Sequence, residues 1–149
     1  MMNSAQVILI VDDNFSDYEA AVRSLRKACI ANPIMHCADG DDALDYLHRR
    51  GKFSDPASSP RPGVILLDLN LPGTDGKDIL ADIKHDPDLQ MIPVVILTTS
   101  TDERDVQACY RMGANSYMKK RIDLQEFMAA IQRMSDFWLE IAILPREKS

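Results

Sequence analysis

Two apolar segments of this sequence each end in aspartate. Residues 7–11 precede Asp12 and Asp13, and the apolar residues 64–67 precede Asp68. Short runs of valine, isoleucine and leucine of this kind are typical of buried strands. A carboxylate is costly to bury without a partner. We therefore predict that the acids at the ends of these two strands share one site.

Two further polar side chains lie at the ends of apolar segments. Thr98 follows residues 93–97, and Lys120 closely follows residues 115–118. Clustered carboxylates repel one another, and a hard divalent cation with oxygen ligands relieves that repulsion, which favours Mg²⁺. A lysine ammonium and a threonine hydroxyl both suit a phosphoryl group. Together these residues predict phosphoryl transfer with Asp68 as the nucleophile.

The elements that would position these residues alternate along the chain. Apolar runs predict strands at residues 7–11, 34–38, 64–67, 93–97 and 115–118. Helical spacing predicts helices at residues 16–29, 42–50, 75–85 and 102–112, and a last helix capped by Asp123 and Glu126. Ser16 and Glu19 form a capping-box pattern, and residues 51–63 are expected to be an exposed loop. Five βα units imply a parallel sheet covered by helices on both faces, with its site at the carboxyl ends of the strands.

The composition indicates one ordinary globular domain. The chain has 149 residues, 46% of them hydrophobic, and a formal net charge of −6. The negative charge argues against nucleic acid and anionic membranes as partners. We find no signal-peptide pattern and no apolar stretch long enough to cross a membrane, so we expect a cytoplasmic protein. Cys29, Cys37 and Cys109 are predicted to be reduced core thiols.

Several short motifs resemble the response-regulator receiver domain of two-component signalling. In chain order they are Asp12-Asp13, Leu67-Asp68-Leu69-Asn70-Leu71-Pro72, Asp75-Gly76, Pro93-Val94-Val95-Ile96-Leu97-Thr98-Thr99-Ser100, Gly113-Ala114-Asn115 and Lys120. The resemblance covers about residues 7–138. It implies a flavodoxin-like, doubly wound (βα)5 fold with strand order 2-1-3-4-5.

The resemblance also implies a role for each site residue. Asp68 would accept a phosphoryl group from a phosphohistidine on a partner kinase. Lys120 would contact that group. The Mg²⁺ ligands would be Asp13 directly, Asp12 chiefly through water, Asp68, and the backbone carbonyl of Asn70.

A conformational switch is implied as well. Thr98 would swing toward the phosphoryl group, and Tyr117 would be the aromatic rotamer switch coupled to it. Such a switch requires two states that differ by only a few kcal/mol.

A narrower resemblance points to the phytochrome-associated response regulators, which are single-domain receivers paired with photoreceptor histidine kinases. It is carried by Asn70, Thr99-Ser100, the proline-rich loop, Phe137-Trp138-Leu139-Glu140 and Leu144-Pro145. One position departs from the general receiver pattern, because Arg121 follows the site lysine where receivers usually have proline.

The C-terminal segment predicts an interface. Phe137, Trp138 and Leu139 begin an almost continuously apolar run, and exposed apolar patches with aromatic residues mark contact surfaces. We expect a two-fold homodimer through the last strand, the last helix and the tail at residues 139–149. Residues 1–149 are interpreted as a single receiver domain without an output domain, because the chain ends soon after the last helix.

Two other functions remain open at this point. A haloacid-dehalogenase-like phosphatase also uses an aspartyl nucleophile, Mg²⁺ and a lysine, although that class needs a second aspartate where this chain has Asn70. A phosphorylation-independent interaction module is the other alternative. We expect a phosphoacceptor that assists its own phosphorylation and dephosphorylation, not an enzyme that acts on other substrates.

Overall fold

Five parallel strands form one sheet in the computed structural model, which describes residues 6–27, 29–120, 125, 126, 129, 132 and 133. The strands lie in the order β2-β1-β3-β4-β5. Their bounds are β1 Val7–Val11, β2 Ile34–Cys37, β3 Pro62–Leu67, β4 Val94–Thr98 and β5 Ser116–Lys119. The predicted flavodoxin-like order 2-1-3-4-5 is confirmed.

Helices connect consecutive strands. Their bounds are α1 Phe15–Lys27, α2 Gly40–His48, α3 Gly76–His85 and α4 Glu103–Arg111. Residues 125, 126, 129, 132 and 133 are helical, within the segment where the sequence predicts the last helix. Among the helices of the described ranges, none has the length and apolar character that a membrane crossing requires.

The core has two halves, one on each face of the sheet. Alternate residues of a strand point to opposite faces, so Ile8 and Ile10 pack with α1, whereas Leu9 and Val11 pack with α2, α3 and α4. Every residue of β1, β3 and β4 is buried. Because these strands are covered on both faces of the sheet, their sequences are continuously apolar and do not alternate between apolar and polar residues.

The start of α1 differs from the predicted capping box. The helix begins at Phe15, and the Asn14 side chain accepts a hydrogen bond from the Asp17 N–H at 3.0 Å. Asparagine is as good an N-cap as serine. The predicted capping box on Ser16 and Glu19 is therefore wrong, because the N-cap is Asn14, two residues before Ser16. Asp17 lies in the first turn of the helix.

The loop between α2 and β3 is more ordered than its composition predicts. It contains two 3₁₀ turns, Gly51–Phe53 and Pro56–Ser58. Ser59 is fully buried, and its hydroxyl donates to the carbonyl of Phe53 at 2.9 Å. Most of residues 51–58 are exposed, as predicted, whereas Ser59 is buried and the last two residues of the predicted loop, Pro62 and Gly63, belong to β3.

One of the three cysteines is not a core thiol. Cys37 and Cys109 are buried as predicted, whereas Cys29 is exposed. Cys29 has a φ of 62°, which places it in the left-handed region just after α1. Helices commonly end on a residue of this conformation, which turns the chain away from the helical path.

Candidate functional site

The predicted site residues lie where the strands end. Asp12 follows β1, Asp68 follows β3, Thr98 ends β4 and Lys120 follows β5. The Asp68 N–H donates to the carbonyl of Val11 at 3.0 Å, and the Lys120 N–H donates to the carbonyl of Thr98 at 2.7 Å. Continued strand pairing therefore brings four sequence-distant residues to one edge of the sheet.

Gly76 allows α3 to approach this edge closely. A Cβ atom at position 76 would clash with the carbonyl oxygen of Asp68 and would lie 2.6 Å from the Cα atom of Leu69. The Gly76 N–H donates to the carbonyl of Leu69 at 3.0 Å. Glycine is needed here because only a residue without a side chain permits this contact.

Three carboxylates form a compact acidic cluster. One oxygen from each of Asp12, Asp13 and Asp68 lies within 4.8 Å of the other two. Asp12 is 5% exposed and Asp68 is 6% exposed, whereas Asp13 is exposed. Such a set of oxygen donors matches the ligand preference of hard divalent cations.

Lys120 is the cation that this structure places among the acids. Its Nζ atom lies 2.7 Å from Asp12 Oδ2, 3.0 Å from Asp68 Oδ2 and 3.0 Å from Asp17 Oδ2. Although burial by itself would lower the pKa of Lys120, its hydrogen bonds and charge pairing with Asp12 and Asp68 raise that pKa above its usual value. The lysine is therefore held in its charged form.

The charges of the site do not balance. Burial raises the pKa of Asp12 even though the hydrogen bond from Lys120 acts in the opposite direction. Within the described residues, one ammonium lies against the carboxylates of Asp12, Asp17 and Asp68, and Asp13 stands beside them. A divalent cation fits this site because it would supply the positive charge that Lys120 alone does not.

Each of the two buried acids accepts a hydrogen bond from a nearby backbone N–H. The Asn14 N–H donates to Asp12 Oδ1 at 2.9 Å, and the Asn70 N–H donates to Asp68 Oδ1 at 3.4 Å. The backbone of Asn70 therefore lies at the site, where its carbonyl is predicted to be a metal ligand. That role stays a prediction.

His36 supports the site from β2. Its Nε2 atom lies 2.8 Å from the carbonyl oxygen of Asp12. Its ring stacks on that of Tyr18, with ring centroids 3.9 Å apart. This histidine therefore packs against the backbone of a site residue.

The two predicted switch residues are linked through the segment after β4. Thr98 is fully buried, and its hydroxyl accepts the N–H of Ser100 at 3.3 Å. The Tyr117 hydroxyl donates to the carbonyl of Ser100 at 3.0 Å. Burial raises the pKa of Tyr117, and the hydrogen bond to Ser100 only partly offsets that effect. Ser100 therefore connects both residues, which the sequence pattern did not reveal.

A second lysine–aspartate pair adjoins Ser100. The Ser100 hydroxyl donates to Asp105 Oδ2 at 2.6 Å, and the other carboxylate oxygen of Asp105 pairs with Lys77. These contacts join the start of α3 to the first turn of α4. Sequence reasoning missed this pair because the two residues are far apart in the chain.

Asp17 is the site residue that sequence reasoning missed. The sequence pattern indicates only that it belongs to a helix, yet it contacts Lys120 as closely as Asp68 does. The available signal is an acid four residues after Asp13, in the first turn of the helix that follows the first acidic strand end. The predicted interface residues Phe137, Trp138 and Leu139 lie outside the described residues, as does Arg121.

Comparison with known proteins identifies the family. The response regulator receiver domain model matches residues 8–132. The chain is 41% identical to the response regulator Rcp1 of Synechocystis sp., over 96% of this chain and 95% of that protein.

Solved structures agree with this match. The Mn²⁺-bound form of Rcp1 has a TM-score of 0.89 at 41% identity, covering 95% of this chain and 99% of that one. The phosphorylated cyanobacterial phytochrome response regulator RcpA has a TM-score of 0.89 at 37% identity, with the same coverage. The strand order, the acids at the strand ends and the family match agree, and the chain belongs to the response regulator receiver domain family.

Proposed function

We propose that this protein is a phosphoacceptor of a two-component phosphorelay, in which Asp68 receives a phosphoryl group from a sensor histidine kinase. The observation that carries the proposal is the environment of Asp68. Asp68 is 6% exposed, and its carboxylate belongs to the acidic cluster and lies 3.0 Å from Lys120. A buried nucleophile beside a fixed ammonium suits phosphoryl transfer, where positioning and charge neutralisation supply most of the catalysis.

The transfer exchanges one bond to phosphorus for another. A carboxylate oxygen of Asp68 forms a bond to phosphorus as the bond between phosphorus and the donor's imidazole nitrogen breaks. The imidazole leaves with a proton taken from solvent. Lys120 donates to the phosphoryl oxygens, since its ammonium already lies within hydrogen-bonding distance of Asp68.

The cation that completes the site is Mg²⁺ in this proposal. Asp12, Asp13, Asp68 and the backbone carbonyl of Asn70 would hold it, and it would neutralise charge on the carboxylates and the phosphoryl oxygens. The Mn²⁺-bound structure of Rcp1 supports a divalent cation in this family. The proposal prefers Mg²⁺ because a site with few carboxylates and access to water suits that ion.

The partner in this proposal is a histidine kinase of the phytochrome type. RcpA is a phytochrome response regulator, and RtBRR and AtBRR are bacteriophytochrome response regulators. This chain is 37% identical to each of them. Likeness to several such proteins over nearly the whole chain supports a kinase of the same class.

Phosphorylation would be communicated through Thr98 and Tyr117. A phosphoryl group that attracts the Thr98 hydroxyl would disturb its contact with the Ser100 N–H. Ser100 also holds the Tyr117 hydroxyl, so the movement would reach β5. The two residues therefore act as the switch in this proposal.

The direct test is incubation with acetyl phosphate and Mg²⁺ followed by intact mass measurement. We expect the wild type to gain the mass of one phosphoryl group and Asp68→Asn to gain none. A wild type that gains no phosphate, or an Asp68→Asn variant that gains as much, would contradict the proposal. Transfer from a purified, autophosphorylated phytochrome-type kinase, with a kinase of another sensor class as control, tests the partner.

The same preparation tests the two alternatives. The family match favours a receiver over a haloacid-dehalogenase-like phosphatase, and rapid turnover of an aryl phosphate would reverse that preference. A phosphorylation-independent interaction module would bind its partner with the same affinity before and after phosphorylation. We also propose that the protein assists its own phosphorylation and dephosphorylation, which predicts faster phosphate loss in native than in urea-unfolded protein.

We further propose that residues 1–149 form one receiver domain that assembles as a homodimer through its last strand, last helix and tail. The support is the apolar run that begins at Phe137, Trp138 and Leu139. Size-exclusion chromatography with light scattering should give a dimer mass for the wild type and a lower mass for Trp138→Ala. A wild-type monomer with and without phosphorylation would contradict the dimer.

A further inference from the structure

Lys120 meets one carboxylate that the acidic cluster does not include. An ammonium group has three N–H donors, and Lys120 Nζ lies within 3.0 Å of three carboxylate oxygens, on Asp12, Asp17 and Asp68. Asp12 and Asp68 also belong to the cluster suited to a divalent cation, whereas Asp17 does not. Asp17 is therefore the one of these three acceptors that Lys120 would not share with a divalent cation bound to the cluster.

The fold fixes Asp17 in this position. It lies in the first turn of α1, and the Asn14 side chain caps its N–H at 3.0 Å. The positive end of the helix dipole stabilises a carboxylate in this turn. The Asp17 side chain is 34% exposed, against 6% for Lys120, so it lies on the solvent side of the lysine.

We propose that Asp17 is a positioning residue that keeps the Lys120 ammonium in the site while Asp12 and Asp68 are committed to a divalent cation. This inference rests on the proposed function, because it assigns a task to the lysine of the same phosphoacceptor site. Without Asp17, the ammonium has only Asp12 and Asp68 as partners and competes with the cation for them. Loss of Asp17 therefore weakens cation binding through Lys120.

Asp17 could also strengthen cation binding directly, without acting through Lys120, and the experiment must separate these two effects. The carboxylate is negative, so it also attracts a nearby cation directly. A direct attraction persists when Lys120 is absent, whereas an effect that acts through Lys120 disappears. A double-mutant cycle between the two residues distinguishes the two mechanisms.

The experiment measures Mn²⁺ affinity without any phosphodonor, by the electron paramagnetic resonance signal of free Mn²⁺. The proteins are the wild type, Asp17→Asn, Lys120→Met, the double variant, and Asp78→Asn as the matched control. Asp78 is an exposed acid in the first turn of α3, so its substitution also removes one charge from a helix start.

We expect Asp17→Asn to weaken Mn²⁺ binding about five- to tenfold, which is the coupling typical of residues in contact. Lys120→Met should tighten binding, and adding Asp17→Asn to it should change the affinity no further. Asp78→Asn should bind as the wild type does. The proposal would be overturned if Asp17→Asn weakened Mn²⁺ binding equally in the wild type and in Lys120→Met, or did not weaken it in either.

A second readout observes the lysine itself. Nitrogen–proton correlation spectra of the lysine ammonium groups should show a protected Lys120 signal in the wild type and in Asp78→Asn. That signal should be lost in Asp17→Asn and recovered in part in Asp17→Glu, which keeps the charge. A protected signal that survives Asp17→Asn, or its absence from the wild type, would contradict the assigned role.

The outcome is independent of the phosphoacceptor test. Urea unfolding of each variant verifies that it is folded before affinity is compared. If the wild type gains no phosphate from acetyl phosphate but the cycle shows coupling, the proposed function fails and the assigned role of Asp17 stands. If phosphate is gained but no coupling is found, only the role of Asp17 fails.

Discussion

Two lysines meet aspartates at the carboxyl end of the sheet, and their surroundings differ. Lys120 follows β5, is 6% exposed and contacts Asp12, Asp17 and Asp68. Lys77 lies in the first turn of α3, is 34% exposed and pairs with Asp105. The same pair of residue types thus occurs once inside the protein and once near its surface.

Burial gives the two clusters different physical roles. A buried charge that loses its partner remains away from water, so the loss is strongly unfavourable. A partly exposed pair loses little, because water and salt replace the missing partner. The Lys120 cluster therefore fixes the site, whereas the Lys77–Asp105 pair can be broken at low cost.

The largest expected effect is that of Lys120→Met. Removing the ammonium leaves Asp12 and Asp68 buried without their cation, which should cost about 3–5 kcal/mol of the free energy of unfolding. Urea unfolding in EDTA at neutral pH measures the loss, and Lys77→Met is the matched control. Added Mg²⁺ should restore more stability to Lys120→Met than to the wild type. Equal losses in the two variants would refute the comparison.

Tyr117→Phe should have an intermediate effect. It removes the hydrogen bond to the carbonyl of Ser100, and such a bond contributes about 1 kcal/mol. The control is Tyr110→Phe, since the exposed Tyr110 hydroxyl accepts the N–H of Tyr117 at 3.1 Å. Thermal and urea unfolding should rank Tyr117→Phe as the more destabilised variant, and the opposite ranking would contradict the importance of Ser100.

Asp105→Asn should have a smaller effect that depends on pH. Hydrogen bonds from Lys77 and Ser100 lower the pKa of Asp105 below its usual value. A lowered pKa in the folded state stabilises the protein above the usual pKa, and this contribution is lost as the pH falls through the lowered value. The stability difference between wild type and Asp105→Asn should therefore shrink between neutral pH and about pH 3. A difference that stays constant would show that the pKa of Asp105 is not lowered on folding, so that the contacts with Lys77 and Ser100 do not stabilise its charge.

The smallest expected effect is the salt dependence of the stability that the Lys77–Asp105 pair contributes. At about 1 M salt the Debye length is only about 3 Å, which screens exposed charges. The stability loss of Lys77→Met should vanish under these conditions, whereas that of Lys120→Met should persist. Unfolding curves at low and high NaCl make the comparison, and losses that fall in parallel would show that the Lys120 cluster is not shielded from solvent.

Much of the fold could be predicted because its strands are simple. β1 was predicted at its observed bounds, since five consecutive apolar residues buried on both faces leave a clear pattern. The boundaries of α1 and α2 were less accurate, because capping is decided by single side chains. Asn14 caps α1 and Asp39 caps α2, so the helices begin at Phe15 and Gly40 rather than at residues 16 and 42.

The main residues of the candidate site could be predicted from the sequence, but the side-chain contacts that link them to other elements could not. Asp12, Asp68, Thr98 and Lys120 were found because strand ends are visible in sequence. Asp17 was missed because a first-turn acid usually serves only to stabilise its helix. Ser100 was missed as a connecting residue because its hydrogen bonds reach α4 and β5.

The sequence by itself determined the alternation of strands and helices, the acids and lysine at the strand ends, and the receiver family. These follow from local patterns, since apolar runs and turn residues act over a few neighbours. Only the tertiary structure decided which carboxylates Lys120 contacts, that Asp17 is one of them, and that Ser100 joins Thr98 to Tyr117. Such contacts depend on how whole elements pack, because the distance of 3.0 Å between Lys120, which follows β5, and Asp17 of α1 is set by how that helix packs on the sheet.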